Sequence, residues 1–136
     1  MRIISILALA LFSSSLFSSP LFADMVVIAN TSVPSADLAD VRKVYLGKKT
    51  RIADVSVTPI LNQDPNLTQE FLDKVVGQSN NAFQAYWVEK VFTGQATKPR
   101  EMSNDAAIKA YVATTPGAIG YINRSSVDNS VKVLLP

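Results

Sequence analysis

Two short runs of uninterrupted apolar residues constrain the fold most. One is Met25-Val26-Val27-Ile28-Ala29; the other, Ala118-Ile119-Gly120-Tyr121-Ile122, follows Pro116-Gly117 near the end of the chain. A strand with one wet face alternates apolar and polar residues, so runs without alternation belong to strands covered on both sides. Both strands are therefore expected near the centre of a sheet with helices on each face. Pro116-Gly117 predicts a turn that ends a preceding helix, because Pro presets φ and Gly accepts conformations closed to other residues. Gly120, inside its run, predicts a close approach by another group, since a strand glycine is otherwise a weakness. A packed helix is the expected neighbour.

The segments between these runs read as helices and further strands. Ser35 is the expected N-cap of a helix carrying Leu38, Val41, Val44 and Tyr45 and closed by Gly47. Residues 48–54 are polar, and residues 55–61 predict a second strand. Asn66 with Gln69 has the form of a capping box ahead of Phe71, Leu72, Val75 and Val76, with Gly77 at the end. Ser79 caps a helix whose Phe83, Tyr86, Trp87, Val91 and Phe92 are expected in the core. Residues 95–102 read as a loop. Ser103 caps a helix with Ala106, Ala107, Ile108, Tyr111 and Val112, and a last strand covers residues 131–135. Strands separated by helices predict an α/β domain with mainly parallel pairing, because parallel strands need crossovers.

The first 23 residues are of a different kind. Met1-Arg2, an apolar run from Ile3 to Phe17 softened by Ser13 to Ser15, and a small residue at Ala23 have the layout of a signal peptide. The run is short and serine-interrupted for a membrane span of about 20 residues. With no Cys after it, a lipid anchor is not expected. The mature domain would be residues 24–136, exported, with no membrane insertion of its own. Its 12 basic and 11 acidic residues leave a formal charge of +1, which gives no general pull toward nucleic acid.

Much chemistry is excluded by residue type. The chain has no His and no Cys, so the commonest general base, the thiol nucleophile and the usual zinc ligands are all missing. No catalytic residue, metal site or cofactor is expected. Asp37 with Asp40, and Glu70 with Asp73, are carboxylates three apart on helices, a spacing that suits a solvated face. The basic run Arg42, Lys43, Lys48, Lys49 and Arg51 suits a helix end. Binding at strand-to-helix turns remains, where free N–H groups attract anions. On this ground Thr31 and Ser32, after the first strand, and Asn66 and Thr68, after the second, are the candidate ligand-binding residues.

Several of these stretches together resemble a known family. "DVRKVYLGKKT" is similar to a helix-to-Gly-Lys segment of periplasmic phosphate-binding proteins. "AYWVEKVFTGQATKPREMSNDAAIKAYVATTPGAIGYIN" resembles their short, single-domain relatives, the phosphate ABC transporter substrate-binding-like proteins. The resemblance implies one lobe of a type II periplasmic binding protein-like fold, with Pro116 to Tyr121 as a helix end and central strand. It implies phosphate or a similar small anion as ligand, in connection with an ABC transporter. Two family features are missing. The Arg and Ser-Gly-Thr of the phosphate motif have no counterpart in Asn62 to Thr68, where Asp64 would repel an anion, and no Trp stands at Arg51 to Asp54. Two readings stay open: a domain that binds a small anion weakly, and an interaction module with a decayed ligand site that serves an envelope protein or transporter component. A homodimer is compatible with both.

Overall fold

The computed structural model describes residues 24–136, so the expected signal peptide lies outside the described residues. The elements, in order, are β1 (Met25–Ala29), α1 (Leu38–Tyr45), β2 (Arg51–Ile52), β3 (Val55–Ser56), β4 (Thr58–Asn62), α2 (Pro65–Phe71), α3 (Asn80–Phe92), β5 (Arg100–Met102), α4 (Asp105–Thr114), β6 (Ala118–Asn123) and β7 (Lys132–Leu135). A π-helical turn, Leu72–Val76, continues α2, and a 3-10 turn, Arg124–Ser126, follows β6. No helix among the described residues is long and apolar enough to cross a membrane.

The main sheet has the order β5-β4-β6-β1-β7, and β2 with β3 forms a separate hairpin. β4 runs parallel to β5 and to β6, while β1 is antiparallel to both β6 and β7. Four of these five strands therefore share one direction, which gives the mostly parallel sheet expected, and β1 opposes them. The two continuous apolar runs are neighbours at its centre. In β1, Met25, Val27 and Ala29 join a core beneath α1, α2 and α3, while Val26 and Ile28 join a second core beneath α4. Alternate residues point to opposite faces of a strand, so two covered faces require the unbroken run.

Gly120 is explained by the second core. A Cβ there would lie 2.7 Å from Cγ2 of Ile108 on α4, so a helix is the close neighbour, as expected. Gly117 has φ +80°, and a Cβ would collide with the backbone oxygen of Ser56. Both positions need glycine for space, and Gly117 needs it for conformation also.

Several local expectations are corrected. Asp37, not Ser35, caps α1, and it forms a capping box with Asp40. Asp64, not Asn66, caps α2: its carboxylate reaches two amides, and Pro65 stands at the first helical position, where a missing N–H costs nothing. Asn104, not Ser103, caps α4. Ser79 caps α3 as expected. The expected strand over 55–61 is divided into β3 and β4, and β5 forms within the expected loop. Trp87 is core, with Nε1 donating to the Tyr45 carbonyl at 3.2 Å. Phe92 is not, since it is 90% exposed.

Candidate functional site

The direction of β1 decides how the candidate residues are grouped. Ala29 pairs with Ile119 and Met25 with Asn123, so the loop after β1 lies where β6 begins. There the Asn30 N–H donates to the Ala118 carbonyl at 2.9 Å, and the Gly117 N–H donates to Ser32 Oγ at 3.0 Å. The loop after β4 lies where β6 ends, with Asn62 Nδ2 donating to the Tyr121 carbonyl at 3.1 Å. The two ends are separated by the length of β6, about 16 Å at ordinary strand rise. Thr31 and Ser32 thus share one end of the sheet, Asn66 and Thr68 share the other, and the four do not form one site.

The carboxyl ends of β4, β5 and β6 converge, which is where open α/β sheets hold ligands. A cleft of about 440 Å³ opens there, lined by Asn62, Asp64, Ser103, Asn104, Asp105 and Asn123 among others. Asp105 organises it. Its carboxylate accepts from Asn62 Nδ2 at 2.9 Å, from the Asn123 N–H at 3.0 Å and Nδ2 at 2.9 Å, and from Ser126 Oγ at 3.1 Å. Burial alone would raise the Asp105 pKa, but the bonds from Asn123, Asn62 and Ser126 together outweigh it and hold the carboxyl below its ordinary value. Asp105 is an anion with its lone pairs in use.

Asp64 and the start of α2 form the second part of this end. Its Oδ1 accepts from the Asn66 N–H at 2.9 Å and from the Leu67 N–H at 3.2 Å. These amides are the donors that a bound anion would need. Thr68 is engaged as well: its hydroxyl donates to the Asn62 carbonyl at 2.6 Å and lies 2.8 Å from the Tyr121 hydroxyl. Burial pushes the Tyr121 phenol up to about 12, so it stays neutral here. Beside α2 a groove of about 470 Å³ is lined by Asp24, Asp64, Glu70 and Asp73, with amides from Asn66, Gln69 and Asn123. Among the described residues no lysine or arginine lines either hollow. Asn66 is exposed, and of its groups the backbone N–H is the one held by Asp64.

Among the described residues no three His, Cys, Asp or Glu side chains gather as a metal site would require. No protein-family model matches the chain, and no curated protein matches it. Among solved structures it is similar to an ABC-type phosphate transport receptor from Vibrio cholerae, with TM-score 0.60 and 17% identity over 82% of this chain and 45% of that one. A second is a protein assigned as a phosphate ABC transporter substrate-binding protein, solved with bound phosphate, from Clostridium perfringens. It has TM-score 0.60 and 21% identity over 82% of this chain and 44% of that one. The fold is that of one lobe of a phosphate-binding protein. The lobe spans less than half the length of either receptor.

Of the residues at the carboxyl end of this lobe, the sequence singled out Asn66 and Thr68 as binding residues but not Asn62 or Asp105, which organise it. Asn62 is a turn residue by type and Asp105 an ordinary first-turn acid, yet they meet across 43 residues. An asparagine at the end of an apolar strand is the available signal, because such a side chain, once buried, must find partners.

Proposed function

We propose that the chain is an exported, non-catalytic solute-binding-protein-like domain whose anion position is closed by its own Asp64, and that it works through protein contacts. In this reading residues 1–23 direct export to the periplasm and are removed after Ala23, and residues 24–136 act there beside an envelope protein or transporter component. The observation that carries it is the Asp64 carboxylate on the Asn66 and Leu67 amides. An internal carboxylate at a helix start satisfies the donors an external anion would use, and it repels that anion. The acidic lining of the adjoining groove acts in the same direction.

The second reading is weak capture of phosphate or a similar small anion, with Asn66 and Thr68 at one end of the sheet or Thr31 and Ser32 at the other, in connection with an ABC transporter. What favours it is the likeness to two phosphate receptors, one solved with phosphate bound. Thermal unfolding of residues 24–136 with phosphate, sulfate and a neutral control at matched ionic strength separates the readings. A native-state ligand must raise the midpoint once its concentration passes its dissociation constant. The closed-site reading predicts no phosphate-selective rise up to about 10 mM, a concentration that marks a binding free energy near 3 kcal/mol. A selective rise would replace it with the second.

A further inference from the structure

Residues 42–51 hold Arg42, Lys43, Lys48, Lys49 and Arg51 with no acid between them. A helix end favours cations only within its last turn. Helix α1 ends at Tyr45, so Arg42 and Lys43 meet that need and the other three lie beyond it. The chain folds this run back on itself: the Lys43 carbonyl accepts from the N–H of Lys48 at 2.8 Å and of Lys49 at 3.2 Å, and three lysines start from one turn. Lys43 and Lys48 are exposed, and their side chains make no ion pair or hydrogen bond among the described residues. Lys49 neutralises Asp40, with Nζ 2.7 Å from Oδ1. Of the other flanking acids, Asp37 caps α1 and Asp54 stands at the turn of the β2-β3 hairpin.

Both arginines are fixed in a way that keeps their charge. Arg42 donates from Nε to the Val75 carbonyl at 2.9 Å, and Arg51 donates from Nη2 to the Asp54 carbonyl at 2.5 Å. A carbonyl orders a guanidinium without cancelling it, and the remaining N–H groups keep the fork that binds a carboxylate. Ordering beforehand lowers the entropy cost of a later contact. Like charges gathered with so little compensation repel one another, and an anionic partner relieves that repulsion. We propose that the end of α1 and the β2-β3 hairpin form a contact surface for an acidic segment of another protein. This rests on the reading that the chain works through protein contacts, and it adds the partner's chemistry. A membrane is the weaker fit. Binding in a lipid interface adds apolar side chains to the cations, and no large apolar side chain between residues 39 and 58 is exposed.

Fluorescence anisotropy of a labelled poly-glutamate peptide, titrated with residues 24–136, tests this surface. Two double charge reversals are compared: Lys43→Glu with Lys48→Glu on the surface, and Lys98→Glu with Lys109→Glu away from it. The wild type should bind with a dissociation constant under about 100 µM at about 20 mM salt, and at least about tenfold more weakly at about 200 mM. Reversal at Lys43 and Lys48 should weaken binding at least about tenfold more than reversal at Lys98 and Lys109, which changes the net charge equally. It should leave the thermal midpoint within about 5 °C of the wild type, because neither side chain has a partner to lose. No binding at low salt, or equal weakening by the two reversals, would overturn the proposal. So would capture by vesicles of phosphatidylglycerol and phosphatidylcholine that the Lys43 and Lys48 reversal abolishes, since the surface would then belong to a membrane. A phosphate-selective rise in the midpoint would remove the protein-contact reading without touching peptide binding, so the two failures are distinguishable.

Discussion

Each end of the sheet places a buried asparagine where a strand finishes, Asn30 just after β1 and Asn62 as the last residue of β4, and the two hold opposite ends of the same helix. Asn30, 6% exposed, donates through Nδ2 to the Val112 and Ala113 carbonyls at 2.8 and 3.2 Å, in the last turn of α4. Those carbonyls have no partner inside the helix. Asn62, 3% exposed, donates through Nδ2 to Asp105 at the first turn of α4, and its Oδ1 accepts from the Asp64 N–H at 2.9 Å. One asparagine joins neutral backbone alone; the other joins backbone and the Asp105 carboxylate. The neutral end is a clamp that pH should not touch. The charged end lies where open α/β sheets hold ligands, and the carboxylates of Asp64 and Asp105 stand there.

The largest effect that could break this comparison is at the neutral end. Gly117→Ala puts a Cβ against the Ser56 carbonyl at φ +80°, and backbone cannot yield as a flexible side chain can. Urea unfolding should record a loss of about 3 kcal/mol or more. A loss under about 1 kcal/mol would mean this end is compliant. Asn30→Ala comes next, at about 2 kcal/mol, because it strands the buried Val112 carbonyl and the part-buried Ala113 carbonyl. That loss should be the same at pH 5 and pH 8, since no titratable side chain takes part in the Asn30 bonds.

Asp105→Asn should cost less at neutral pH, about 1 kcal/mol after discounting for its partial exposure, and its effect should depend on pH. The folded carboxyl titrates below the ordinary aspartate value of 3.8. Its contribution is therefore present above that value and lost as pH falls through the folded value. Wild-type stability should drop with acid below about pH 4, and the drop should be shallower in Asp105→Asn. It should not vanish, because Asp40 and Asp128 are held below the same value by Lys49 and by Ser130. An identical acid profile in the variant would remove Asp105 from the account. Asp64→Asn should be smallest in stability, a few tenths of a kcal/mol, because asparagine also caps helices. If Asp64 is what excludes phosphate, a phosphate-selective rise in the thermal midpoint should emerge in this variant.

Where local pattern and tertiary structure agreed, the sequence was legible. The unbroken apolar runs required coverage on both faces, and β1 and β6 occupy the centre. Gly120 required a close neighbour, and Ile108 provides it. Other features left no local trace. β5 is Arg-Glu-Met, too short for a period, and forms because β4 offers an open edge. Ser35, Asn66 and Ser103 are good caps by type, but Asp37, Asp64 and Asn104 reach the free amides. Phe92 fits the apolar spacing of α3 and yet faces outward, since spacing alone does not say whether a face has a neighbour. The candidate site was separated for a similar reason. No local pattern encodes that β1 runs against β6, and that direction sends Thr31 and Ser32 to the end away from Asn66 and Thr68.

The central claim, that Asp64 fills the position an anion would take, is tested most directly by following backbone amide resonances of residues 24–136 as phosphate is added to about 10 mM at constant ionic strength. The account predicts that the Asn66 and Leu67 amides do not move more than distant exposed amides do. A saturable shift of those two, with Thr68 alongside, would show phosphate at the start of α2 and contradict it.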